Sequence, residues 1–178
     1  MRPNTTLARL RRRQPALGLW LHSHSFHIAR IVAANGIADW LLVDLEHTPV
    51  DLSTASMIFG AVADVSAGAC TPLARVAEGT ATQIKHALDA GAQGVIVPMV
   101  NTAQDAANAV RSSRYPPLGE RGAGGLVPHF GFGTNSHIEY VGAANDEILV
   151  SIQIETRTAV QNIESILDVP GIDMVFIG

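Results

Sequence analysis

The feature that most constrains the fold of this chain is a regular alternation of short apolar segments with helical segments. The centre of each apolar segment is almost continuously apolar rather than alternating between apolar and polar residues. Such centres are typical of parallel strands in a sheet that helices cover on both faces. The predicted strands are residues 17–21, 38–43, 72–76, 94–100, 147–154 and 173–177.

Helix-capping residues mark the segments between these strands. Ser25 can cap a helix that stops at Asn35-Gly36, and Thr80 opens a capping box at the start of another helix. A glycine-rich stretch, residues 116–145, interrupts the alternation, and a segment this long is usually functional or an interface arm. The predicted helices are residues 26–34, 52–65, 80–89, 102–114, 136–141 and 158–167.

Composition limits the classes of protein to consider. A chain of 178 residues with 47% hydrophobic and 16% charged residues is a compact domain rather than a disordered segment. The net charge of −4 gives no reason to expect a nucleic-acid partner, and no run approaches the ~20 apolar residues of a membrane span. The single cysteine, Cys70, excludes an internal disulfide and suits a reducing compartment, so we expect a cytoplasmic protein.

The basic residues cluster near the N-terminus. We expect them to form the solvated face of a short helix rather than a nucleic-acid-binding arm. The chain is therefore divided into an N-terminal basic helix or arm, residues 1–16, and one domain, residues 17–178. The clustered arginines are Arg9, Arg11, Arg12 and Arg13.

Two architectures have parallel strands with intervening helices: the doubly wound open sheet and the (β/α)8 barrel. A glycine-rich dinucleotide loop is missing after the first predicted strand, which disfavours the open sheet. Polar residues gather at the C-terminal ends of several strands, where barrel enzymes keep their active sites. A full barrel usually needs about 250 residues, so we predict an incomplete TIM barrel with about six of eight strands. The polar residues are Asp44, Glu46, His47, Arg75, Gln153 and Glu155.

The end of the fifth predicted strand contains a carboxylate that needs a partner. Side chains alternate across a strand, so Ile152 and Ile154 face one side while Gln153 and Glu155 face the other. Burying an unpaired carboxylate costs several kcal/mol. The partner could be Arg75 in an ion pair, or a hard divalent cation bound with the help of Asp44 and Glu46.

Histidines suggest two further chemistries. His47, next to a carboxylate at a strand end, is placed to exchange protons near pH 7, although a lone histidine there is more often structural. His22 and His24 have the His-x-His spacing of zinc-binding amidohydrolase barrels, and His27 follows. That reading requires histidines at the ends of strands five and six, which end in other residues, so a loop role is preferred.

Several short motifs occur in a fixed order along the chain. They are Gly18-Leu19-Trp20, Asp44-Leu45-Glu46-His47-Thr48-Pro49, Ala74-Arg75-Val76, Leu88-Asp89-Ala90-Gly91-Ala92, Val97-Pro98-Met99-Val100, Arg114-Tyr115-Pro116-Pro117 with Gly119 and Arg121-Gly122, Gln153-Ile154-Glu155-Thr156 and Val169-Pro170-Gly171-Ile172-Asp173. In this order and spacing they resemble the class II pyruvate aldolases of the HpcH/HpaI family. The similarity covers residues 17–178, and the combination is specific although each motif alone is weak.

The resemblance implies a metal-dependent (β/α)8 aldolase that cleaves a 4-hydroxy-2-oxo acid to pyruvate and an aldehyde. Glu155 would be a ligand of a divalent metal ion (Mg²⁺, Mn²⁺ or Co²⁺), and Gln153 and Trp20 would contact the substrate. Arg75 would hold the keto oxygen and stabilise the pyruvate enolate. His47 would take the 4-hydroxyl proton, directly or through a metal-bound water.

By the same resemblance, Asp89 matches an acidic residue that, in the family, raises the basicity of the catalytic histidine, which is His47 in this chain. It closes a helix that precedes strand four, so within one barrel it lies at the opposite end from His47. It could therefore reach a catalytic histidine only across a subunit contact. This implies a homo-oligomer, a hexamer or trimer of dimers by resemblance, unless Asp89 is an ordinary helix-terminal carboxylate.

The resemblance also places a second metal-binding carboxylate just beyond Gly178. We therefore expect either a fragment of a longer protein or a natural short form. Oxaloacetate decarboxylation and C–C bond formation of the macrophomate synthase type stay open, because both use the same enolate. A non-catalytic truncated relative, acting as a partner or regulatory subunit, is the alternative from a different class.

Overall fold

The computed structural model describes residues 1–124 and 136–178, and it contains a six-stranded parallel sheet. Each strand pairs with its neighbour in the chain, in the order β1-β2-β3-β4-β5-β6. The strands are β1 (Gly18–Leu21), β2 (Trp40–Asp44), β3 (Thr71–Arg75), β4 (Gly94–Val97), β5 (Leu149–Ile154) and β6 (Met174–Ile177). The predicted α/β fold, an incomplete TIM barrel with six strands, is confirmed.

Helices connect the strands, and the two predicted N-caps, Ser25 and Thr80, are confirmed; the Thr80 hydroxyl accepts the N–H of Gln83. The Ser25 hydroxyl accepts the N–H of Ile28, and Thr102 forms a reciprocal capping box with Asp105. Of the described helices, none is long and apolar enough to cross a bilayer. The helices are α1 (Thr5–Arg11), α2 (Phe26–Ala34), α3 (Leu52–Val65), α4 (Ala81–Asp89), α5 (Ala103–Ser113), α6 (His137–Glu147), α7 (Arg157–Gln161) and α8 (Ile163–Leu167).

Several element boundaries differ from the sequence-based prediction; for example, β2 begins at Trp40 rather than at residue 38, and β4 ends at Val97 rather than at residue 100. The helix predicted at 136–141 continues to Glu147, so the fifth strand starts two residues later than expected. The helix predicted at 158–167 is divided at Asn162, whose side-chain amide donates to the backbone carbonyl of Asn101. In the glycine-rich stretch, Gly125, Gly131 and Gly133 lie outside the described residues.

The sheet curls into a barrel wall. A flat sheet would hold β1 and β6 about 24 Å apart, because neighbouring strands are separated by ~4.8 Å. Instead, the rings of Trp20 on β1 and Phe176 on β6 approach to 5.2 Å between centroids. The inward-facing side chains therefore share one interior, while a larger apolar cluster lies between the sheet and the helices. The buried interior residues are Leu7, Leu42, Leu73, Ile96 and Leu149.

The N-terminal helix α1 closes the bottom of this interior. Leu7 is buried among the interior residues, and the Thr6 hydroxyl donates to the carbonyl of Asp39, just before β2. The Asn4 amide donates to the carbonyl of Gln93, just before β4. Arg11, Arg12 and Arg13 are exposed to solvent. The functional end of the barrel is therefore the opposite one, although the division of the chain at residue 16 stays a prediction.

Replacing Gly94 by alanine should destabilise the protein. An added Cβ would lie 2.6 Å from the carbonyl oxygen of Leu149 and 2.8 Å from Cδ2 of Leu73, inside the packed wall. Such overpacking costs about 1–3 kcal/mol in the free energy of unfolding, measurable by denaturant titration. Gly60→Ala on α3 is the matched control, since its Cβ meets nothing within 4 Å and should add about 1 kcal/mol of stability. Equal effects of the two substitutions would contradict this packing.

Candidate active site

The centre of the candidate site is a bidentate ion pair between neighbouring strands. Asp44 ends β2 and Arg75 ends β3, and the two residues are partners in the strand register. Arg75 donates from Nε to Asp44 Oδ1 at 2.8 Å and from Nη2 to Oδ2 at 2.6 Å. The Asp44 side chain is 0% exposed and that of Arg75 is 9% exposed. Two parallel hydrogen bonds of this kind fix both the position and the plane of the guanidinium.

A second carboxylate and an aromatic ring complete the surroundings of Arg75. Glu46 Oε2 lies 3.1 Å from Arg75 Nε, within ion-pair distance, although the hydrogen on this nitrogen points to Asp44. The guanidinium lies over the ring of Trp20, with Cζ 4.6 Å from the ring centroid. The buried ion pair considered between Arg75 and Glu155 is therefore replaced by pairs with Asp44 and Glu46, because the strand register brings those carboxylates closer.

The hydrogen bonds shift the pKa values of this pair in opposite directions. Burial alone would raise the pKa of Asp44, but donors from Arg75 and from the N–H groups of Glu46 and His47 outweigh it and lower the pKa. Burial would lower the pKa of Arg75, but the hydrogen bond and charge of Asp44, with the charges of Glu46 and Glu155, raise it. Asp44 is thus ionised and Arg75 charged at neutral pH.

This shift predicts a pH-dependent contribution to stability. Folding lowers the pKa of Asp44. Its contribution to stability is therefore fully present when the pH is above its pKa in the unfolded chain, about 3.9, and is lost as the pH falls through its pKa in the folded protein. The difference in unfolding free energy between the wild type and Asp44→Asn should therefore shrink as pH falls below about 4. Denaturant titrations from pH 6 to pH 3 measure it. A difference that is constant over this range would contradict the assignment.

The second half of the site is the pair formed by Gln153 and Glu155. The predicted alternation is confirmed, since Ile152 and Ile154 pack toward the helices and Gln153 is register partner of the inward-facing Phe176. Gln153 is 4% exposed and donates from Nε2 to Glu155 Oε2 at 2.8 Å.

Contrary to the sequence-based expectation, Glu155 is exposed rather than buried. It lies one residue beyond the end of β5, at the rim of the barrel. Its carboxylate nevertheless has donors, since Oε1 accepts the backbone N–H of Met99 at 2.7 Å. Its charge also contributes to the raised pKa of Arg75, so the two halves of the site interact.

Two residues that support Glu155 were missed by the sequence analysis. Met99 adopts a positive φ of 57°, a conformation that costs a non-glycine residue about 1–2 kcal/mol. Its backbone N–H donates a hydrogen bond to the Glu155 carboxylate. An added Cβ at Gly178 would lie 2.6 Å from Gln153 Nε2 and 3.0 Å from Glu155 Cβ. Position in the chain was the only signal available, because Gly178 follows directly after a predicted strand and Met99 lies near the end of another.

The oxygen donors at this rim fit a hard divalent cation. Gln153 Oε1 is buried and has no hydrogen-bond partner, and it lies beside the Glu155 carboxylate. Magnesium sites commonly use one or two protein carboxylates, with water and substrate supplying the remaining oxygens. Within residues 1–124 and 136–178, no group of three or more His, Cys, Asp or Glu side chains is arranged to hold a metal. Glu155 is thus the residue that would hold the ion.

The structure separates the other predicted site residues. His47 is at the mouth, 71% exposed, with Nε2 3.7 Å from Glu46 Oε1. Asp89 ends α4, before β4 begins, and accepts a hydrogen bond at 2.7 Å from the buried guanidinium of Arg121. Asp89 therefore lies at the end of the barrel opposite to His47, as the sequence suggested. His22 lies beside Asp44, with its Nε2 3.5 Å from Oδ2, rather than in a histidine cluster.

Comparison with known proteins agrees with this geometry. The sequence pattern that defines the HpcH/HpaI aldolase/citrate lyase family matches residues 16–178. The chain belongs to this family. HpcH/HpaI aldolases generally depend on a divalent metal ion, which is consistent with the oxygen donors at Glu155 and Gln153.

Individual members of the HpcH/HpaI family are similar over most of the chain. A 2-keto-3-deoxy-L-rhamnonate aldolase from Klebsiella pneumoniae is 42% identical over 170 residues, covering 95% of this chain and 61% of that protein. A family protein from Burkholderia cenocepacia superposes with a TM-score of 0.90 at 36% identity, covering 98% of this chain and 68% of that one. The chain thus spans about three fifths of the length of the curated relatives it matches.

Macrophomate synthase has the same fold as this chain. Its structure superposes with a TM-score of 0.81, covering 98% of this chain and 60% of that one, at 23% sequence identity. At this identity the likeness concerns the fold and does not extend to the reaction.

Proposed function

We propose that this protein is a divalent-metal-dependent class II aldolase that cleaves or forms a 4-hydroxy-2-oxo acid through a pyruvate enolate. The observation that carries the proposal is Arg75, fixed at the barrel mouth by the two hydrogen bonds that it donates to the Asp44 carboxylate. Family membership and the 42% identity to a 2-keto-3-deoxy-L-rhamnonate aldolase support it.

Arg75 is suited to stabilise negative charge on an enolate oxygen. A guanidinium has five N–H donors, and Asp44 occupies two of them, so three remain for a ligand. The bidentate contact holds these donors in place before the reaction, and preorganised donors lower the energy of a developing oxyanion. The side chain is 9% exposed, so water competes weakly for them.

The remaining residues have separate parts in this proposal. Glu155 would hold a divalent ion, which would supply Lewis-acid polarisation of the 2-oxo group. His47 removes the 4-hydroxyl proton, the C3–C4 bond breaks, and its electron pair goes to the enolate while the aldehyde leaves. Protonation at C3 then gives pyruvate. Trp20 packs against Arg75, and Gln153 contacts the 2-oxo acid through its side-chain amide.

We also propose a homo-oligomer in which Asp89 raises the basicity of the catalytic histidine of a neighbouring subunit. Asp89 lies too near the bottom of its own barrel to approach His47. The fully buried Arg121 holds its carboxylate, with Tyr115 packed against the guanidinium at 4.6 Å. A cytoplasmic location is part of the same proposal and rests on the free, buried Cys70.

Two other activities use the same enolate and serve as alternatives. Oxaloacetate decarboxylation or macrophomate-synthase-like bond formation would involve Arg75 and Glu155 in the same roles. Product analysis separates them: the aldolase reading predicts a new 4-hydroxy-2-oxo acid from pyruvate plus an aldehyde. Turnover of oxaloacetate without any such product from a panel of aldehydes would favour the decarboxylase.

A non-catalytic partner subunit is the alternative from a different class. It is favoured by the finding that, among the described residues, no group of three or more His, Cys, Asp or Glu side chains is arranged to hold a metal ion. Calorimetric titration with Mn²⁺ distinguishes the aldolase from the non-catalytic subunit, because an enzyme of the proposed kind should bind the metal more tightly when pyruvate is present. Binding that pyruvate does not affect would favour the non-catalytic reading.

A further inference from the structure

His22 lies in the wall of the same site, on a strand that the proposed mechanism uses only for Trp20. It directly follows β1, so it is at the same end of the barrel as Asp44 and Arg75. Its ring stacks on Trp20 with 5.9 Å between centroids and 25° between planes. Trp20 in turn lies under the Arg75 guanidinium, 4.6 Å from the ring centroid. His22, Trp20 and Arg75 therefore form one continuous stack.

The Asp44 carboxylate lies within ion-pair distance of one ring nitrogen of His22. His22 Nε2 is 3.5 Å from Asp44 Oδ2, and Asp44 is ionised at neutral pH. A carboxylate beside one ring nitrogen favours the proton on that nitrogen, which leaves a lone pair on the other. With the proton on Nε2, the Nδ1 atom of His22 is a hydrogen-bond acceptor. The side chain is 61% exposed, so a ligand in the mouth has access to it.

The loop that carries His22 has a defined conformation. His24, two residues further on, has a φ of 50°, and Ser25 caps α2 by accepting the N–H of Ile28. The N–H of Ser25 also contacts the Ser23 hydroxyl at 3.4 Å. The helix cap therefore anchors the end of the loop that carries His22.

We infer that His22 binds a hydroxyl group on the aldehyde part of the substrate and makes the site prefer 2-hydroxyaldehydes over alkyl aldehydes. This inference rests on the proposed aldolase function. Arg75, Gln153 and Glu155, on β3 and β5, are assigned to the 2-oxo acid, so the β1 wall is left for the aldehyde portion. A ring nitrogen with a lone pair accepts an O–H, whereas a methyl group in its place leaves it unpaired.

Three substitutions at one position separate this hydrogen bond from a packing role. His22→Ala should lower kcat/KM for glycolaldehyde about 3- to 10-fold relative to propanal, which has the same size without the hydroxyl. The loss should fall mainly on KM for the aldehyde. His22→Asn, whose amide lies near the position of Nδ1, should restore the preference, whereas His22→Gln, which reaches the position of Nε2, should not.

His27→Ala is the matched control, because His27 is exposed in the first turn of α2 and contacts Phe26 rather than the site. It should leave both aldehyde reactions unchanged. Equal losses for glycolaldehyde and propanal in His22→Ala, or no loss, would overturn the inference while the aldolase proposal stands. Absence of deuterium exchange at C3 of pyruvate in the wild type, with Mn²⁺ present, would overturn both.

Discussion

Arg75→Lys is expected to slow proton exchange at C3 of pyruvate by about 10²- to 10³-fold in the presence of Mg²⁺ or Mn²⁺, the loss typical of removing one oxyanion donor. Lysine keeps the positive charge but lacks the planar fork that makes two hydrogen bonds to Asp44. The donors that face the enolate are then no longer fixed. Nuclear magnetic resonance of pyruvate in deuterium oxide measures the exchange directly and needs no aldehyde.

Arg75→Ala should abolish this exchange, but it also affects folding. It leaves the buried Asp44 carboxylate without the guanidinium that pairs with it, and breaking a buried ion pair in this way costs about 3–5 kcal/mol. Thermal unfolding must therefore be measured beside exchange, and the lysine variant isolates the catalytic effect. Arg111→Lys, on an exposed arginine that pairs with Glu120, should change neither property. Wild-type exchange in Arg75→Lys would contradict the role given to Arg75.

Glu155→Gln is expected to remove the pyruvate-dependent binding of Mn²⁺. Loss of a residue that only orients a metal ligand weakens binding by 10- to 100-fold, so loss of the ligand's charge should weaken it by at least about 100-fold. Stability should change little, because Glu155 is exposed and glutamine can still accept the Met99 N–H. Calorimetric titration with Mn²⁺, with and without pyruvate, measures the change.

The matched control for this substitution is Glu120→Gln. Its carboxylate is 74% exposed and contacts Arg111, and neither residue belongs to the proposed site. It removes the same charge from the chain, so any general electrostatic effect on Mn²⁺ is shared by both variants. Equal affinities of wild type and Glu155→Gln for Mn²⁺ in the presence of pyruvate would exclude Glu155 as the ligand.

The fold was predictable because local signals agreed with one another. Continuous apolar centres such as 94–100 predicted buried parallel strands, and caps such as Ser25 fixed where helices begin. The period of two at the end of β5 correctly placed Gln153 inward and Ile154 outward. The break at Asn162 was not predictable, since it depends on a hydrogen bond to Asn101, 61 residues away in the chain.

The position of these residues at one end of the barrel was predictable, but their pairing was not. From the sequence, Glu155 was the partner considered for Arg75, because both residues lie at the C-terminal ends of parallel strands. The register of β2 against β3 places Asp44 directly beside Arg75. This register depends on packing along the whole strand. The positive φ of Met99, which aims its N–H at Glu155, is likewise imposed by the tertiary structure, since methionine has no preference for that conformation.

The most direct test of the central claim is deuterium exchange at C3 of pyruvate by the wild-type chain, with Mn²⁺ and without any aldehyde. Enolate formation is the step that Arg75 and Glu155 are assigned to support, and exchange reports it alone. The account predicts exchange well above a protein-free solution of Mn²⁺, lost on chelation of the metal and in Arg75→Ala. Exchange no faster than in that protein-free solution would contradict it.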